Sequence, residues 1–222
     1  MKLLIVDTET TGLDYDLSST IEIAGCLYDS VLKSEIATIQ FLLPALENPA
    51  EHINGISIPL LQSTTPEITL YGRNFFDVLY SQCDYVVAHN APFDKNFLLK
   101  VGLTDESKPW ICSHRDLVFP NQRNSGVLVH ISIDHNLPPS NVHRALGDVQ
   151  TLCNLLKVVP NLDEQILISG SRVTCTPVNK SFSMNDQLRN LNFKFDRTTK
   201  LWTRRMSPQE IEDCPFELQP VE

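Results

Sequence analysis

The residues best suited to chemistry stand in three short segments along the chain. These are Asp7-Thr8-Glu9-Thr10-Thr11-Gly12-Leu13-Asp14, His89-Asn90-Ala91-Pro92-Phe93-Asp94 and His143-Arg144-Ala145-Leu146-Gly147-Asp148. Brought together by the fold, they would place four carboxylates beside one histidine. Carboxylate oxygens suit a pair of hard divalent cations, and an imidazole beside them suits a general base. The three segments therefore predict a site that hydrolyses phosphodiesters.

The first segment follows a strand. Residues 3–6 are a continuous apolar run, which is typical of a strand buried on both faces. Side chains two residues apart on a strand share a face, so Asp7 and Glu9 are expected to project side by side at the strand's end. Residues 10–12 then turn the chain away.

The second and third segments lie where helices begin. Asp94 follows the strand-like residues 84–88 and opens a helix, which places it within reach of the neighbouring strand's end. Asp148 comes five residues after His143, about 500° around a helix, so on a regular helix the two would point about 140° apart. We therefore predict that His143 lies in the preceding loop. The helix then begins near Arg144, and Asp148 faces the strand.

Each segment alone is a weak signal, because most Asp and Glu side chains are surface charges. Together, in this order, they resemble the Exo I, Exo II and Exo III motifs of the DnaQ-like, DEDDh-type 3′–5′ exonucleases, and most of all the exodeoxyribonuclease X subgroup. The resemblance extends over roughly residues 2–158. Ile21-Glu22-Ile23-Ala24 is similar to the family's second strand, and Ile53-Asn54-Gly55-Ile56 resembles its Ile-His-Gly-Ile, with Asn54 in the histidine place.

The resemblance implies an activity and a role for each site residue. It implies a 3′–5′ exonuclease that acts on DNA and releases nucleoside 5′-monophosphates, with Mg²⁺ as the native metal and Mn²⁺ as a substitute. Asp7 would bridge two cations, Glu9 and Asp148 would complete one of them, and Asp94 would act on the other side, largely through water. His143 would take a proton from the attacking water.

The resemblance also implies where the substrate lies. The backbone near Thr8 and Glu9 would hold the terminal nucleotide, with Leu13 wedged against its base. Phe93 would pack nearby, and Asn90 would also contact the substrate.

His114 is expected to be a surface or capping residue.

The chain alternates strands and helices after a strand-rich start, which is an α/β pattern. Strands are predicted at 2–7, 20–30, 34–43, 84–89 and 109–112, and helices at 66–81, 93–101, 125–136 and 144–158. The resemblance adds the architecture, an RNase H-like mixed five-stranded sheet flanked by helices, with a small C-terminal helix-hairpin appendage.

The charge divides the 222 residues unevenly. Residues 1–170 carry a net charge of −10, residues 171–206 a net charge of +6 and residues 207–222 a net charge of −5. An acidic catalytic domain can still bind phosphate, because bound cations invert the local field. We therefore predict an exonuclease domain over 1–168, a linker over 169–180, a basic helix-hairpin module over 181–206 and an acidic tail over 207–222.

Aromatic residues alternate with bases in the predicted hairpin. Phe193, Phe195 and Trp202 are interleaved with Lys and Arg. One interpretation is a grip on single-stranded nucleic acid, in which rings stack on bases while cations follow phosphates. The other is a mini-core, because two strands and a helix need those aromatics for their own burial. Both interpretations of the hairpin remain open at this point. The acidic tail also has two possible roles, because it could bind a partner or shield the basic module.

Cysteines and hydropathy bear on the cell compartment. The six cysteines are scattered without a Cys-x-x-Cys pair, which favours free buried thiols in a reducing cytoplasm. The apolar run after Met1-Lys2 is too short for a signal peptide, and no segment approaches a membrane span.

Two other functions compete with a DNA exonuclease. One keeps the chemistry and changes the substrate to RNA. The other is a non-catalytic module that binds nucleic acid or a polymerase. Pure binding would gain nothing from crowding four negative charges, which argues against that module. The expected partner is nucleic acid with a 3′ end, with a polymerase or repair partner as a further alternative.

Overall fold

The computed structural model describes residues 1–123, 125–179 and 181–221. The chain divides into two compact units, Met1–Ile166 and Leu167–Glu222. Strands of the first unit are β1 (Lys2–Thr10), β2 (Thr20–Asp29), β3 (Ser34–Leu42), β4 (Tyr85–Ala88) and β5 (Trp110–Cys112). Helices are α1 (Glu51–Asn54), α2 (Ile58–Gln62), α3 (Pro66–Gln82), α4 (Ala91–Lys100), α5 (Ser113–Asp116), α6 (Leu128–Asp134), α7 (Ala145–Leu156) and α8 (Leu162–Gly170).

The first unit is built on one mixed sheet with strand order β3-β2-β1-β4-β5. β1 pairs antiparallel with β2 and parallel with β4, so it lies at the centre. β2 pairs antiparallel with β3, and β4 pairs parallel with β5. The predicted mixed five-stranded sheet flanked by helices is confirmed.

The apolar run of β1 is buried because helices cover both faces of the sheet. Leu3 and Ile5 belong to one core cluster with Val149 and Leu152 of α7. The alternate residues of β1, Leu4 and Val6, belong to a second cluster with Phe76 and Leu79 of α3. Asp7 and Glu9 continue the alternation of Leu3 and Ile5, so they lie on the face of the sheet that α7 covers.

β1 runs three residues farther than predicted. Asp7, Thr8 and Glu9 pair with Ala24, Ile23 and Glu22 of β2, and the register shifts only between Glu9 and Thr10. The acidic segment therefore belongs to the strand rather than to the turn after it. The longer neighbouring strand supplies the backbone partners that the local sequence does not reveal.

The second unit contains a four-stranded sheet of order β7-β8-β6-β9. Its elements are β6 (Val173–Pro177), a 3₁₀ turn (Phe182–Met184), α9 (Asn185–Asn190), β7 (Lys194–Phe195), β8 (Trp202–Met206), α10 (Pro208–Glu212) and β9 (Leu218–Pro220). The segment interpreted as a linker thus contains β6, and the acidic tail contains α10 and β9. Both differences arise from pairing between distant segments, because β6 is held by β8 on one side and β9 on the other.

The aromatic residues of the predicted hairpin do not share one role. Phe193 and Trp202 are 3% and 6% exposed and pack with Cys175, Leu188 and Met206. The mini-core interpretation is therefore correct for these two rings, and Trp202 is not available for stacking on a base. Phe195 differs, because 44% of its surface is exposed.

The acidic tail neutralises part of the basic segment. Glu210 caps α10 in a reciprocal capping box with Ser207. Its carboxylate also lies 2.5 Å from Nη2 of Arg204 and 3.6 Å from Nε of Arg172. This arrangement fits the shielding role that the sequence left open.

The cysteines are free, and five of the six are buried. Among the residues described, no helix has the length and apolar character needed to cross a bilayer.

Candidate active site

Three carboxylates converge where β1 meets the first turns of α7. Asp7, Glu9 and Asp148 each offer an oxygen, and these oxygens lie within 4.8 Å of one another. Asp7 and Glu9 share one face of the strand, and Asp148 lies in the first turn of the helix packed on that face. Hard oxygen donors this close together could hold Mg²⁺ or Mn²⁺.

The fourth predicted carboxylate is anchored beside this cluster. Asp94 is 2% exposed, and its Oδ1 accepts hydrogen bonds from both the backbone N–H of Thr8 (3.0 Å) and the Thr8 hydroxyl (2.9 Å). Thr8 points to the opposite face of β1 from its neighbours Asp7 and Glu9. The backbone N–H of Thr8 therefore orients Asp94. This N–H lies in the stretch near Thr8 and Glu9 whose backbone the sequence predicted to hold the terminal nucleotide.

The acidic cluster is electrostatically costly without a cation. Burial, followed by repulsion from Asp94, Asp148 and the other acids, raises the pKa of Asp7 well above its usual range. Burial first and the neighbouring acids second raise the pKa of Glu9 to about 7. Burial likewise raises the pKa of Asp94 to about 7 and that of Asp148 to about 6. A divalent cation would remove both the repulsion and the desolvation cost, so the donor set fits one.

A buried ion pair fixes α7 against the sheet. Glu22 of β2, directly opposite Glu9, is 0% exposed. Nη2 of Arg144 lies 2.6 Å from its Oε1, and Nε of Arg144 lies 3.0 Å from its Oε2. The N–H of Ala145 donates to the same Oε2 at 2.9 Å, and Gln40 also donates to Glu22. Glu22 thus holds the N-terminus of the helix that carries Asp148.

Sequence reasoning missed this pair as a functional feature. Glu22 was noted only as part of a strand that resembles a family motif. The available signal was a carboxylate in the middle of the apolar run of β2, since every other side chain from residue 21 to residue 27 is apolar and all of these residues are buried. Charges almost never occupy such positions unpaired.

His143 lies in a loop, as predicted, and α7 begins at Ala145 with Arg144 at its N-cap. The backbone of His143 is left-handed, with φ of 60°, and its N–H donates to Oδ2 of Asp148 at 3.1 Å. The side chain is exposed toward the same cavity as the carboxylates. A histidine here can exchange protons with a group bound beside Asp148.

The loop before His143 is fitted closely to α7. The N–H of Ser140 donates to Oγ1 of Thr151 at 3.0 Å, and that hydroxyl donates to the carbonyl of Gly147. A Cβ on Gly147 would lie 2.2 Å from the carbonyl oxygen of Asn141. Gly147 therefore permits the close approach that sets the position of His143.

A cavity of about 550 Å³ opens over these groups. Of the predicted substrate residues, Thr8, Asn90 and Phe93 line it. Phe93 also packs on Phe97, with ring centroids 4.8 Å apart. Leu13 lies outside this lining, on the turn after β1, and is 87% exposed.

The cavity lining also includes two histidines, His89 and His114, to which the sequence assigned no role in the site. His89 contacts Oγ of Ser113 (2.9 Å) through Nδ1 and the carbonyl of Gly126 (2.8 Å) through Nε2. Its ring stacks on His114 at 5.4 Å, and a Cβ on Gly126 would lie 2.2 Å from Nε2 of His114. Burial lowers the pKa of His89, which favours the neutral ring, with Nε2 donating to Gly126. His114 is exposed, as the sequence predicted for a surface residue, and it also lines the cavity.

No protein-family model matches the chain, and no curated protein sequence matches it. Solved structures do match. A zinc-bound complex of E. coli exonuclease I with single-stranded DNA has a TM-score of 0.57 and 16% identity, and the match covers 80% of this chain and 48% of that one. The nuclease domain of 3′hExo, a DEDDh family member bound to rAMP, has a TM-score of 0.55 and 14% identity over 70% of this chain and 90% of that one. The chain has the DEDDh exonuclease fold.

A third structure with this fold is exonuclease X in complex with 5′-overhanging duplex DNA. Its TM-score is 0.50 and its identity 24%, and the match covers 76% of this chain and 93% of that one. The present chain spans about half the length of the exonuclease I chain in the zinc-bound complex. At these identities the likeness establishes the DEDDh fold, and the chemistry has to be argued from the site itself.

The buried pair generates a prediction about stability. Arg144→Met should lower the free energy of unfolding by roughly 2 kcal/mol, because it leaves the Glu22 carboxylate buried without its cation. That is less than the loss of about 3–5 kcal/mol for a fully buried pair, since the Arg144 side chain is 27% exposed. Urea unfolding in EDTA measures the loss.

The double variant Glu22→Gln/Arg144→Met provides the control. Removing both charges should recover part of the stability lost by Arg144→Met alone. Strictly additive losses would show that the two side chains do not interact, which would contradict the positioning role of Glu22.

Proposed function

We propose that this chain is a metal-dependent 3′–5′ exonuclease that hydrolyses DNA from its 3′ end and releases nucleoside 5′-monophosphates. The observation that carries the proposal is the convergence of Asp7, Glu9 and Asp148, beside Asp94, in a cavity that His143 also lines. The DEDDh exonuclease fold, in which other chains are exonucleases, supports it.

The donor geometry supports metal-binding roles for these acids. Asp7, Glu9 and Asp148 would hold divalent cations directly, and Asp94 would contribute from its anchor on Thr8, largely through water. Bound Mg²⁺ or Mn²⁺ would supply Lewis-acid activation of water and neutralise the phosphate charge. The raised pKa values of the acids support this assignment, because such a cluster is stabilised by cations.

The chain's own residues perform the remaining steps. His143 takes a proton from the attacking water, and its loop position beside Asp148 supports that role. Phe93 and Asn90 contact the terminal nucleotide from the cavity wall. Arg115, the basic residue of the lining, binds a phosphate of the substrate strand. Leu13, exposed on the turn after β1, packs against a base once the strand is bound.

The substrate is tested with end-labelled oligonucleotides. DNA labelled at its 5′ end should yield a ladder that shortens from the 3′ end with Mg²⁺ or Mn²⁺ and stays intact in EDTA. Faster cleavage of RNA than of DNA would favour the exoribonuclease alternative. Retained binding without cleavage of either polymer would favour the non-catalytic alternative, and a pull-down with a polymerase would then be the next test.

A first prediction concerns the metal cluster. Asp7→Asn should abolish turnover, because Asp7 is the carboxylate assigned to both cations. Mn²⁺ should raise the melting temperature of the wild type, since a ligand that binds the folded state stabilises it, and this shift should be lost in the variant. In EDTA the variant should be at least as stable as the wild type, because one charge has left a repelling cluster.

Asp77→Asn on the exposed face of α3 is the matched control for this charge change. It should keep both turnover and the Mn²⁺ shift. A folded Asp7→Asn protein that cleaves near the wild-type rate would refute the metal assignment.

A second prediction concerns the general base. His143→Ala should lower the single-turnover rate by about 10²–10⁴-fold, the usual share of a general base. The Mn²⁺-induced shift in melting temperature should remain, because His143 is assigned no metal bond. The exposed His52, which contacts only the carbonyl of Pro49 among the residues described, offers the control His52→Ala. Lost metal binding with an unchanged rate would contradict the base assignment.

A third prediction concerns Gly147. Replacing glycine by alanine inside a helix normally stabilises by about 1 kcal/mol. At Gly147 the new Cβ of Ala would clash with the carbonyl of Asn141 and displace the loop that carries His143. We therefore expect Gly147→Ala to slow cleavage by roughly tenfold or more, because the proposed base would be out of place. In the His143→Ala background the same change should add little. An equal loss in both backgrounds would show that Gly147 acts independently of His143.

A further inference from the structure

The second unit contains a cavity of about 710 Å³ that the proposed chemistry does not use. Its rim is formed by Ser181, Asn185, Arg189, Lys194, Phe195 and Arg197. The buried rings of Phe193 and Trp202 form its base. We call it the basic groove.

We propose that the basic groove binds single-stranded nucleic acid, with phosphates on Arg189, Lys194 and Arg197 and a base on the ring of Phe195. The proposal rests on the proposed function and deepens it, because it adds a second contact with the substrate strand. That contact would set affinity for long strands and leave the hydrolytic step unchanged.

The charge of the basic groove is the first argument. Its lining includes three basic residues and no acid. In the part of the chain that the structure describes, neither Lys194 nor Arg197 forms a salt bridge. Arg189 pairs with Asp186 at 2.8 Å, but both side chains are mostly exposed, at 64% and 88%. Such surface pairs contribute only about 0–1 kcal/mol, so a phosphate can replace Asp186.

The neighbouring bases of the unit behave differently. Arg204 and Arg172 are partly buried and pair with Glu210. The fold thus neutralises the cations that it uses internally. At the basic groove, by contrast, the pair between Arg189 and Asp186 is mostly exposed, and Lys194 and Arg197 have no salt bridge among the described residues.

The aromatic content of the basic groove is the second argument. Phe195 lies on β7, an edge strand, with its ring centroid 5.5 Å from that of Trp202. The guanidinium of Arg189 also lies 5.6 Å from the centroid of the Trp202 ring. Phe195, 44% exposed as a residue, thus lies beside a ring that is itself buried. Its accessible surface is suited to stacking, which contributes about 1–3 kcal/mol per base in single-strand binding proteins.

The combination of basic residues and an exposed aromatic residue indicates which ligand the basic groove would bind. An exposed aromatic ring between cations matches a strand whose bases are unpaired and whose phosphates repeat along it. In a duplex the base faces are hidden, so Phe195 would have no partner there. A volume of about 710 Å³ lies in the usual range of small-molecule sites, and is large enough for one or two nucleotides.

The test is binding of fluorescein-labelled oligo(dT) to the full chain in EDTA, which prevents cleavage. Lys194→Gln/Arg197→Gln removes two exposed charges and keeps both aliphatic stems. Affinity for long oligo(dT) should fall roughly tenfold at low salt, and the slope of log K against log [salt] should flatten by about 1.4, which is 0.7 per lost phosphate contact. Phe195→Ala should weaken binding about 5- to 150-fold with little change in that slope.

Lys2→Gln/Lys157→Gln is the charge-matched control, because both residues are exposed and lie at the opposite ends of β1 and α7 from the acidic cluster. It should leave the salt slope near the wild-type value. Equal slopes and affinities for the basic-groove variant and this control would overturn the proposal. The proposal would also be overturned if the wild type bound duplex DNA more tightly than single-stranded DNA and the basic-groove variants lost that duplex binding. Melting temperatures within a few degrees of wild type verify that each variant is folded.

Cleavage of saturating short oligonucleotides with Mn²⁺ separates the two proposals. If the wild type cleaves and the basic-groove variants bind normally, only the proposal for the groove fails. If the wild type does not cleave but the variants lose binding and salt slope as expected, only the proposed exonuclease activity fails.

Discussion

The ion pair between Glu22 and Arg144 is the constraint on which the candidate site depends. It joins the N-terminus of α7 to β2, the strand next to the one that carries Asp7 and Glu9. Asp148 and the His143 loop both take their positions from that end of α7. A buried charge pair rarely adds net stability over an apolar alternative, but it penalises every arrangement in which its members separate. Here a displacement of α7 along the sheet would separate Glu22 from Arg144 and would therefore incur that penalty.

The same pair also shapes the electrostatics of the acidic cluster. Glu22 faces Glu9 across the strands, and its charge raises the pKa of Glu9, whereas Arg144 lowers it. The Arg144 guanidinium therefore offsets one neighbouring carboxylate without occupying the cavity. Burial and the neighbouring acids still raise the pKa of Glu9 to about 7, so the repulsion within the acidic cluster leaves a place for a bound cation.

The parts of the site that sequence could predict are those set by local geometry. Strand alternation assigned Asp7 and Glu9 to one face, and the mismatch between a five-residue spacing and the helical repeat placed His143 in a loop before α7. Both follow from periodicity within a few residues. The α/β pattern, too, follows from the order of strands and helices along the chain, whereas the mixed five-stranded sheet was predicted from the resemblance to the DEDDh exonucleases.

The parts that escaped prediction are set by contacts between distant segments. The hydrogen bonds from Thr8 to Asp94 span 86 residues, and the contacts of Glu22 with Arg144 span 122. β6 looked like a linker because its partners, β8 and β9, come later in the chain. Trp202 looked like a stacking platform because alternation with bases resembles a nucleic-acid surface, whereas its burial depends on packing with Leu188 and Cys175. A local pattern cannot distinguish a ring that faces solvent from one that closes a small core.

The charge distribution makes a separate strand-binding element physically reasonable for the proposed nuclease. Residues 1–170 carry a net charge of −10, and two divalent cations would reduce this only to about −6. Cations at the acidic cluster can bind the phosphate that reacts, but their field is screened within about 10 Å at ordinary ionic strength. Phosphates farther along a strand would still meet an acidic surface. A basic groove in a unit of its own supplies the missing attraction without placing lysine or arginine among the metal ligands, where they would compete with the cations. Under the two proposals, the separation of charge between the two units would let one site be acidic enough to bind metal while the other is basic enough to bind the polymer.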